Sequence, residues 1–310
     1  MILLRPTPSQ HPYMSVDDSA IIHAVPPVGS QHPNYQSGKN YVLGETAYSP
    51  VTHFEYESLQ NNNQGNNPDD RANHSDKWLR LGAGNIHRLF DRRTGQLCSH
   101  SGEISVTLRP GAIVDAIALF GMEASQLSIT VTDPIEGEVY SMAQNLVAPL
   151  SQSGMWHWLF EPVRRTKKIL ITGLPAYGTA EVTIRLTAPN DSTVKCGEIV
   201  PGRATVIGDG EWDFTIGGDD YSVMEFDSFG VSEYAPGGYN DYLDIDARLP
   251  THSAEAIKEL FASVRGQPIV LAGEDTGRYG TLVYGLCQQP RIKLRNSKFS
   301  KMNIEMRGLS

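Results

Sequence analysis

The chain has 310 residues, 40% apolar and 20% charged, a composition that belongs to folded protein and excludes a disordered polymer. A formal charge of -9, with Arg164-Arg165-Thr166-Lys167-Lys168 as the densest basic stretch, argues against nucleic acid as a partner. No segment approaches the roughly 18 to 20 consecutive apolar residues of a membrane span, and the first ten residues lack a signal-peptide pattern, so a chain made and kept without secretion is expected.

Length favours two or three domains. Residues 1–34, rich in Pro, Gln and His, read as an extended arm, stiffened at Pro26-Pro27 and able to order on a neighbouring subunit. Residues 35–80 read as a small loop-rich module with two short strands, Asn40 to Glu45 and His53 to Leu59. A polar stretch from Gln60 to Pro68 follows, then a lone Trp78, and aromatic side chains must hold so small a unit together.

From 81 to 192 the apolar residues alternate. Ile104/Val106/Leu108, Leu127/Ile129/Val131 and Val182/Ile184/Leu186 predict half-buried strands, and the fuller runs Ile113 to Phe120 and Lys168 to Thr172 predict strands buried on both faces. Turns at Pro110-Gly111, Asp133-Pro134 and Pro189-Asn190 divide them, giving a β-sandwich. Residues 193–310 add further strands and one helix, Ser253 to Arg265, with Ile257, Leu260, Phe261 and Val264 on one face, Ser253 as N-cap and Gly266 as the stop. The predicted class is mostly β: a jelly-roll sandwich, a small N-terminal β module, and a C-terminal β domain with one helix.

Catalytic signatures are sparse. Asp275-Thr276-Gly277 matches the aspartic-protease triplet, but that chemistry needs two such carboxylates in apolar surroundings, and one polar triplet reads as a hairpin turn. Asp219, Asp220, Asp241, Asp244 and Asp246 could offer oxygen ligands to calcium; the alternation of Asp244 and Asp246 with Leu243 and Ile245 reads instead as the solvent face of a strand. His100 near Cys98 lacks a third relay member, and Cys98, Cys196 and Cys287 form neither a zinc motif nor a disulfide framework, so they read as buried fillers. No HExxH, phosphate-binding Gly loop or GxSxG elbow occurs, so no enzyme activity, cofactor or metal is expected. In Trp156-His157-Trp158-Leu159-Phe160-Glu161-Pro162 the period of two puts Trp156, Trp158 and Phe160 on one face. That face either stacks on sugar rings, anchors a protein interface or fills the sandwich core.

Several stretches resemble known virion modules. Tyr41 to Glu45, Tyr56-Glu57-Ser58-Leu59, Asn61, Gly65 to Pro68 and Trp78 are similar to small carbohydrate-binding modules of chitinases and phage tail proteins. Leu81 to Asn85, Leu89-Phe90-Asp91, Ile104 to Gly111, Asp115 to Gly121, Gly137 to Tyr140, Trp156 to Pro162 and Ile169 to Tyr177 resemble the galactose-binding-like jelly roll of phage tail-tip proteins. Phe226 to Gly230, Arg265 to Pro268, Tyr284-Gly285 and Met302 to Leu309 resemble tail-tube-adapting β domains.

The resemblance implies a structural component of a bacteriophage tail tip or baseplate, located in the virion tail and assembled in the host cytoplasm. It would act by assembly with other phage tail proteins and with copies of itself. The alternative it leaves open is an adhesin for host surface glycans, with Trp156, Trp158, Tyr56 and Trp78 as the binding candidates; a polysaccharide hydrolase would need a carboxylate pair that no motif nominates.

Overall fold

Alternating sequence becomes antiparallel strand through most of the chain. The computed structural model describes residues 1–29, 32–147, 165–226, 229–230, 232–274 and 280–309. Its strands, in chain order, are β1 (Ile2–Pro6), β2 (Ile21–Val25), β3 (Thr46–Tyr48), β4 (Phe54–Ser58), β5 (Trp78–Ala83), β6 (Cys98–Ser101), β7 (Glu103–Leu108), β8 (Ala116–Leu119), β9 (Gln126–Asp133), β10 (Gly137–Asn145), β11 (Ile169–Thr172), β12 (Glu181–Thr187), β13 (Thr193–Cys196), β14 (Ile199–Val206), β15 (Asp209–Asp220), β16 (Val223–Phe226), β17 (Ser232–Ala235), β18 (Tyr239–Pro250), β19 (Ile269–Ala272), β20 (Leu282–Leu294) and β21 (Phe299–Gly308).

Two sheets dominate. A five-stranded sheet has the order β10-β9-β12-β7-β2, and a nine-stranded sheet the order β11-β8-β14-β1-β19-β20-β21-β18-β15. In the first, β7, β9 and β12 bury every second residue, so Ile104, Val106, Leu127, Ile129 and Ile184 point one way. They meet Ile117, Leu119, Ile169, Ile171 and Ile199 from the end strands of the second sheet, and this is the predicted sandwich.

The opposite face of those end strands is buried too. Ala118, Phe120, Leu170 and Val200 continue into Ile2, Leu4, Val270 and Tyr284. Burial on both faces explains why β8 is apolar at every position rather than at alternate ones. Further along, the sheet curls around the helix Ala254–Ser263. Ile257, Phe261 and the following Val264 pack on Leu243, Ile245, Met302, Ile304 and Met306. Gly266 ends the helical segment with φ 72, as expected of its lack of a Cβ. Ser253 makes no side-chain cap, because the 3-10 turn Thr251–Ser253 runs straight into the helix and leaves it with helical backbone angles.

Residues 1–34 are not an extended arm. β1 lies inside the nine-stranded sheet, paired to β14 on one side and β19 on the other, and β2 forms the edge of the five-stranded sheet against β7. The apolar run Ile2-Leu3-Leu4 is short, and the surrounding Pro, Gln and His obscure it when composition is averaged over the whole segment. The nine-stranded sheet also crosses the boundary expected at 192/193, since β8 and β11 share it with β14, β15 and β18 to β21.

Close approach fixes one glycine. In β14, Gly202 sits opposite Pro6, and a Cβ there would lie 2.2 Å from the Arg5 carbonyl oxygen. The obstacle is backbone of the central strand and cannot rotate away. Gly202→Ala is therefore expected to cost roughly 1–3 kcal/mol, the usual range for overpacking. Urea unfolding checks this through a lower midpoint at unchanged slope; an unmoved midpoint would mean that β1 and β14 are less tightly coupled than their register implies.

Candidate assembly surface

β15 and β18 form one long ribbon whose far end leaves the sheet and is prolonged by the small hairpin of β16 and β17. The junction is built from short-range bonds. Ser222 N–H donates to Asp220 Oδ1 at 2.9 Å, Ser222 Oγ accepts from Gly237 N–H at 3.0 Å, and Tyr221 N–H donates to the Gly238 carbonyl at 2.9 Å. A Cβ on Gly237 would lie 2.1 Å from the Tyr221 carbonyl oxygen, so only glycine allows the ribbon to cross itself here.

Every residue of β16 and β17 is exposed. The register pairs Met224 with Tyr234 and Phe226 with Ser232, which places Met224, Phe226 and Tyr234 on one face, 60%, 68% and 62% exposed. The other face carries Glu225 directly opposite Glu233, flanked by Val223 and Ala235. Like charges opposed across a hairpin destabilise it, and neither carboxylate has a cation partner among the described residues. A two-stranded hairpin is marginal in water on its own, so this tip exposes apolar surface and uncompensated charge together.

A second surface lies at the helix. Phe261, Val264, Leu286, Cys287 and Ile292 line an open groove of about 660 Å³ between the helix and β20, with Lys258 and Arg265 also in its wall. Burial pushes the Cys287 thiol up to about 12, which makes it apolar lining and not a nucleophile. The groove is thus apolar and basic where the hairpin tip is apolar and acidic.

The residues nominated from sequence fall elsewhere. Tyr56 and Trp78 are 2% and 5% exposed, packed with Tyr41 and Phe54 in the core of the small module, and Trp78 Nε1 donates to the Asn66 carbonyl at 2.9 Å. Rings so enclosed offer no face to a sugar, so these two are corrected from binding candidates to core. Trp156, Trp158 and Asp275-Thr276-Gly277 lie outside the described residues. The five aspartates do not converge. Asp244 and Asp246 both accept from Asn303 Nδ2, at 2.7 and 3.1 Å, and Lys301 pairs with Asp246 at 2.8 Å. Lys168 pairs with Asp241, Arg307 is 4.0 Å from Asp219, and Asp220 holds the ribbon junction.

Cys98 and Cys196 lie directly opposite each other between β6 and β13, both buried and both free. Burial pushes Cys98 up to about 12, and the His100 ring bonds the Glu103 carbonyl instead of forming a relay.

No family model matches this chain, and no curated protein or solved structure matches it. Its surface chemistry must therefore be read from its own geometry. The tip's signal was present in the sequence as Met224 and Phe226 alternating with Glu225. Alternation shows which residues share a face, but not that nothing covers it.

Proposed function

We propose that the chain is a structural subunit that assembles head to tail with copies of itself, forming a ring or hub of the kind its resemblance to phage tail-tip and baseplate proteins implies. The observation that carries this reading is the exposed tip of β16 and β17. The occupant it fits is the helix groove of the next copy: Met224, Phe226 and Tyr234 match Phe261, Leu286 and Ile292 in character, and Glu225 and Glu233 match Lys258 and Arg265 in charge. A contact between two different patches repeats around an axis, and it closes into a ring when the rotation closes. On this reading the protein works by binding, within a virion tail, and performs no turnover.

Light scattering and negative-stain imaging of the purified chain test it. A closed oligomer is expected. Phe226→Ser should weaken association roughly ten- to a hundredfold, as loss of about 1.5–3 kcal/mol from one buried aromatic implies, without changing the melting of the subunit. Glu225→Lys with Glu233→Lys should dissociate the ring, and Lys258→Glu with Arg265→Glu should restore it. A wild-type chain that stays monomeric at high concentration would overturn the reading, as would charge swaps without effect. A chain that oligomerises only with a second tail protein would place the occupant there.

A further inference from the structure

Three segments that are distant in sequence bring two imidazoles and a carboxylate together beside the small module. Asp18 opens the 3-10 turn that leads into β2, His53 sits in the turn between β3 and β4, and His87 lies on the 3-10 turn Asn85–Leu89 after β5. His53 Nε2 is 2.9 Å from Asp18 Oδ2, His87 Nε2 is 3.5 Å from Asp18 Oδ1, and one ligand atom from each residue lies within 4.8 Å of the others. His53 reaches this position with φ 62, a left-handed backbone uncommon for a residue with a Cβ.

The hydrogen bonds of this cluster leave a buried ring nitrogen open. Tyr48 Oη lies 3.0 Å from His53 Nδ1 and 3.5 Å from His87 Nδ1. His87 is 1% exposed, and its Nε2 is buried with no hydrogen-bond partner among the described residues. Tyr48 has a single proton to give. With one proton on each ring, at least one ring nitrogen then stays buried and unsatisfied, normally a costly state. If both protons sit on Nδ1 and point at Tyr48 Oη, both Nε2 lone pairs face the Asp18 carboxylate, an arrangement that requires a positive ion between them. A polar residue bonded to the far nitrogen of a metal-bound histidine is the usual way its tautomer is fixed.

We infer that Asp18, His53 and His87 form a divalent transition-metal site, best suited to zinc, with Tyr48 as the positioning residue behind both imidazoles. Tetrahedral zinc with bonds near 2.1 Å holds its ligand atoms roughly 3.4 Å apart, inside the 4.8 Å that encloses one ligand atom from each of the three residues. The rings stack with centroids 4.0 Å apart and planes 7° from parallel, so the metal-bound form fans them apart about their Cβ–Cγ bonds until the lone pairs converge. Asp18 is half exposed and gives the ion its way in, leaving the fourth position to solvent. His11 stacks on His53 but is not a ligand. Its Nε2 bonds the Val51 carbonyl at 3.1 Å, and its Nδ1 accepts from Met14 N–H at 3.1 Å. The ion would clip the segment between β1 and β2 to the small module and to the turn that follows it.

The test uses the full chain after dialysis against a chelator. Zinc titrated by calorimetry should bind at one ion per chain, cobalt should give the visible absorption of a four-coordinate nitrogen and oxygen site, and magnesium should do neither. Saturating zinc should raise the melting temperature, as any ligand of the folded state does. Asp18→Asn should weaken zinc at least tenfold and shrink the zinc-induced rise in melting temperature, each read against the variant's own metal-free melting. Tyr48→Phe should weaken it roughly ten- to a hundredfold, as loss of a positioning partner does. Absence of zinc binding would overturn the site, and so would Asp18→Asn protein that binds zinc as tightly with the same cobalt spectrum.

Discussion

Deletion of Ile2–Pro6 is expected to abolish folding. β1 is hydrogen-bonded on both edges, to β14 over five residue pairs from Ile2 with Val206 to Pro6 with Gly202, and to β19 over three. Its side chains also serve two different cores. Leu3 packs with Leu271, Val283 and Ile304 on the helix side, and Leu4 with Ala118, Val200 and Val270 on the other. Both leucines are completely buried, so Leu3→Ala and Leu4→Ala should each cost about 2–5 kcal/mol, and because they face away from each other the two losses should nearly add. Circular dichroism during thermal and urea unfolding reads the result. A truncated chain that melts cooperatively near the intact one would mean that the sheet closes without its central strand.

A second large effect concerns pH. Glu198 is fully buried; it accepts from Ser15 Oγ at 2.9 Å and from Arg92 N–H at 3.0 Å. Burial first, and Asp91 second, hold its carboxyl well above the usual range. Asp91 is pushed up to about 7 by burial, against the opposing pull of the Arg93 N–H and the Arg93, Arg88 and Arg80 guanidiniums.

Both carboxyls keep their protons in the folded chain after the unfolded chain has lost them. Their contribution to stability is complete below the unfolded value near 4 and is lost as pH rises, for Asp91 up to about 7. A tenfold difference in proton affinity between the folded and unfolded chain is worth about 1.4 kcal/mol, so Asp91→Asn should match the wild type at pH 4 and exceed it by a few kcal/mol at pH 8. Comparing variant and wild type at each pH cancels the contribution of every group that the substitution leaves untouched. Parallel stability curves from pH 4 to 8 would show that Asp91 ionises in the fold as freely as in water.

Much of the architecture was legible in particular residues. Ile104/Val106/Leu108, Leu127/Ile129/Val131 and Val182/Ile184/Leu186 each alternate because one face meets the sandwich core, and each became a strand with that face buried. The helix was legible from Ile257, Phe261 and Gly266. β1 was not, because three apolar residues before a proline-rich stretch carry no periodicity. Tyr56 and Trp78 were legible as important aromatics but not as buried ones, since a ring that stacks on sugar and a ring that holds a small core look the same in a sequence. Asp18, His53 and His87 follow no spacing rule. They meet only because β2 anchors one sheet while β3 to β5 form another, and convergence of that kind is a property of topology.

The position of β1 also sets the order in which the molecule can form. Ile2 pairs with Val206 and with Ala272, so neither edge of β1 can be satisfied until most of the chain has left the ribosome. Contacts of such sequence separation must overcome loop-closure entropy before they contribute, which places this fold among slow folders of high contact order. In the interval, a short apolar strand with two open edges remains available to any partner. Refolding yield should accordingly fall with protein concentration well before native solubility limits it, and a chaperone that holds the first few residues should raise it.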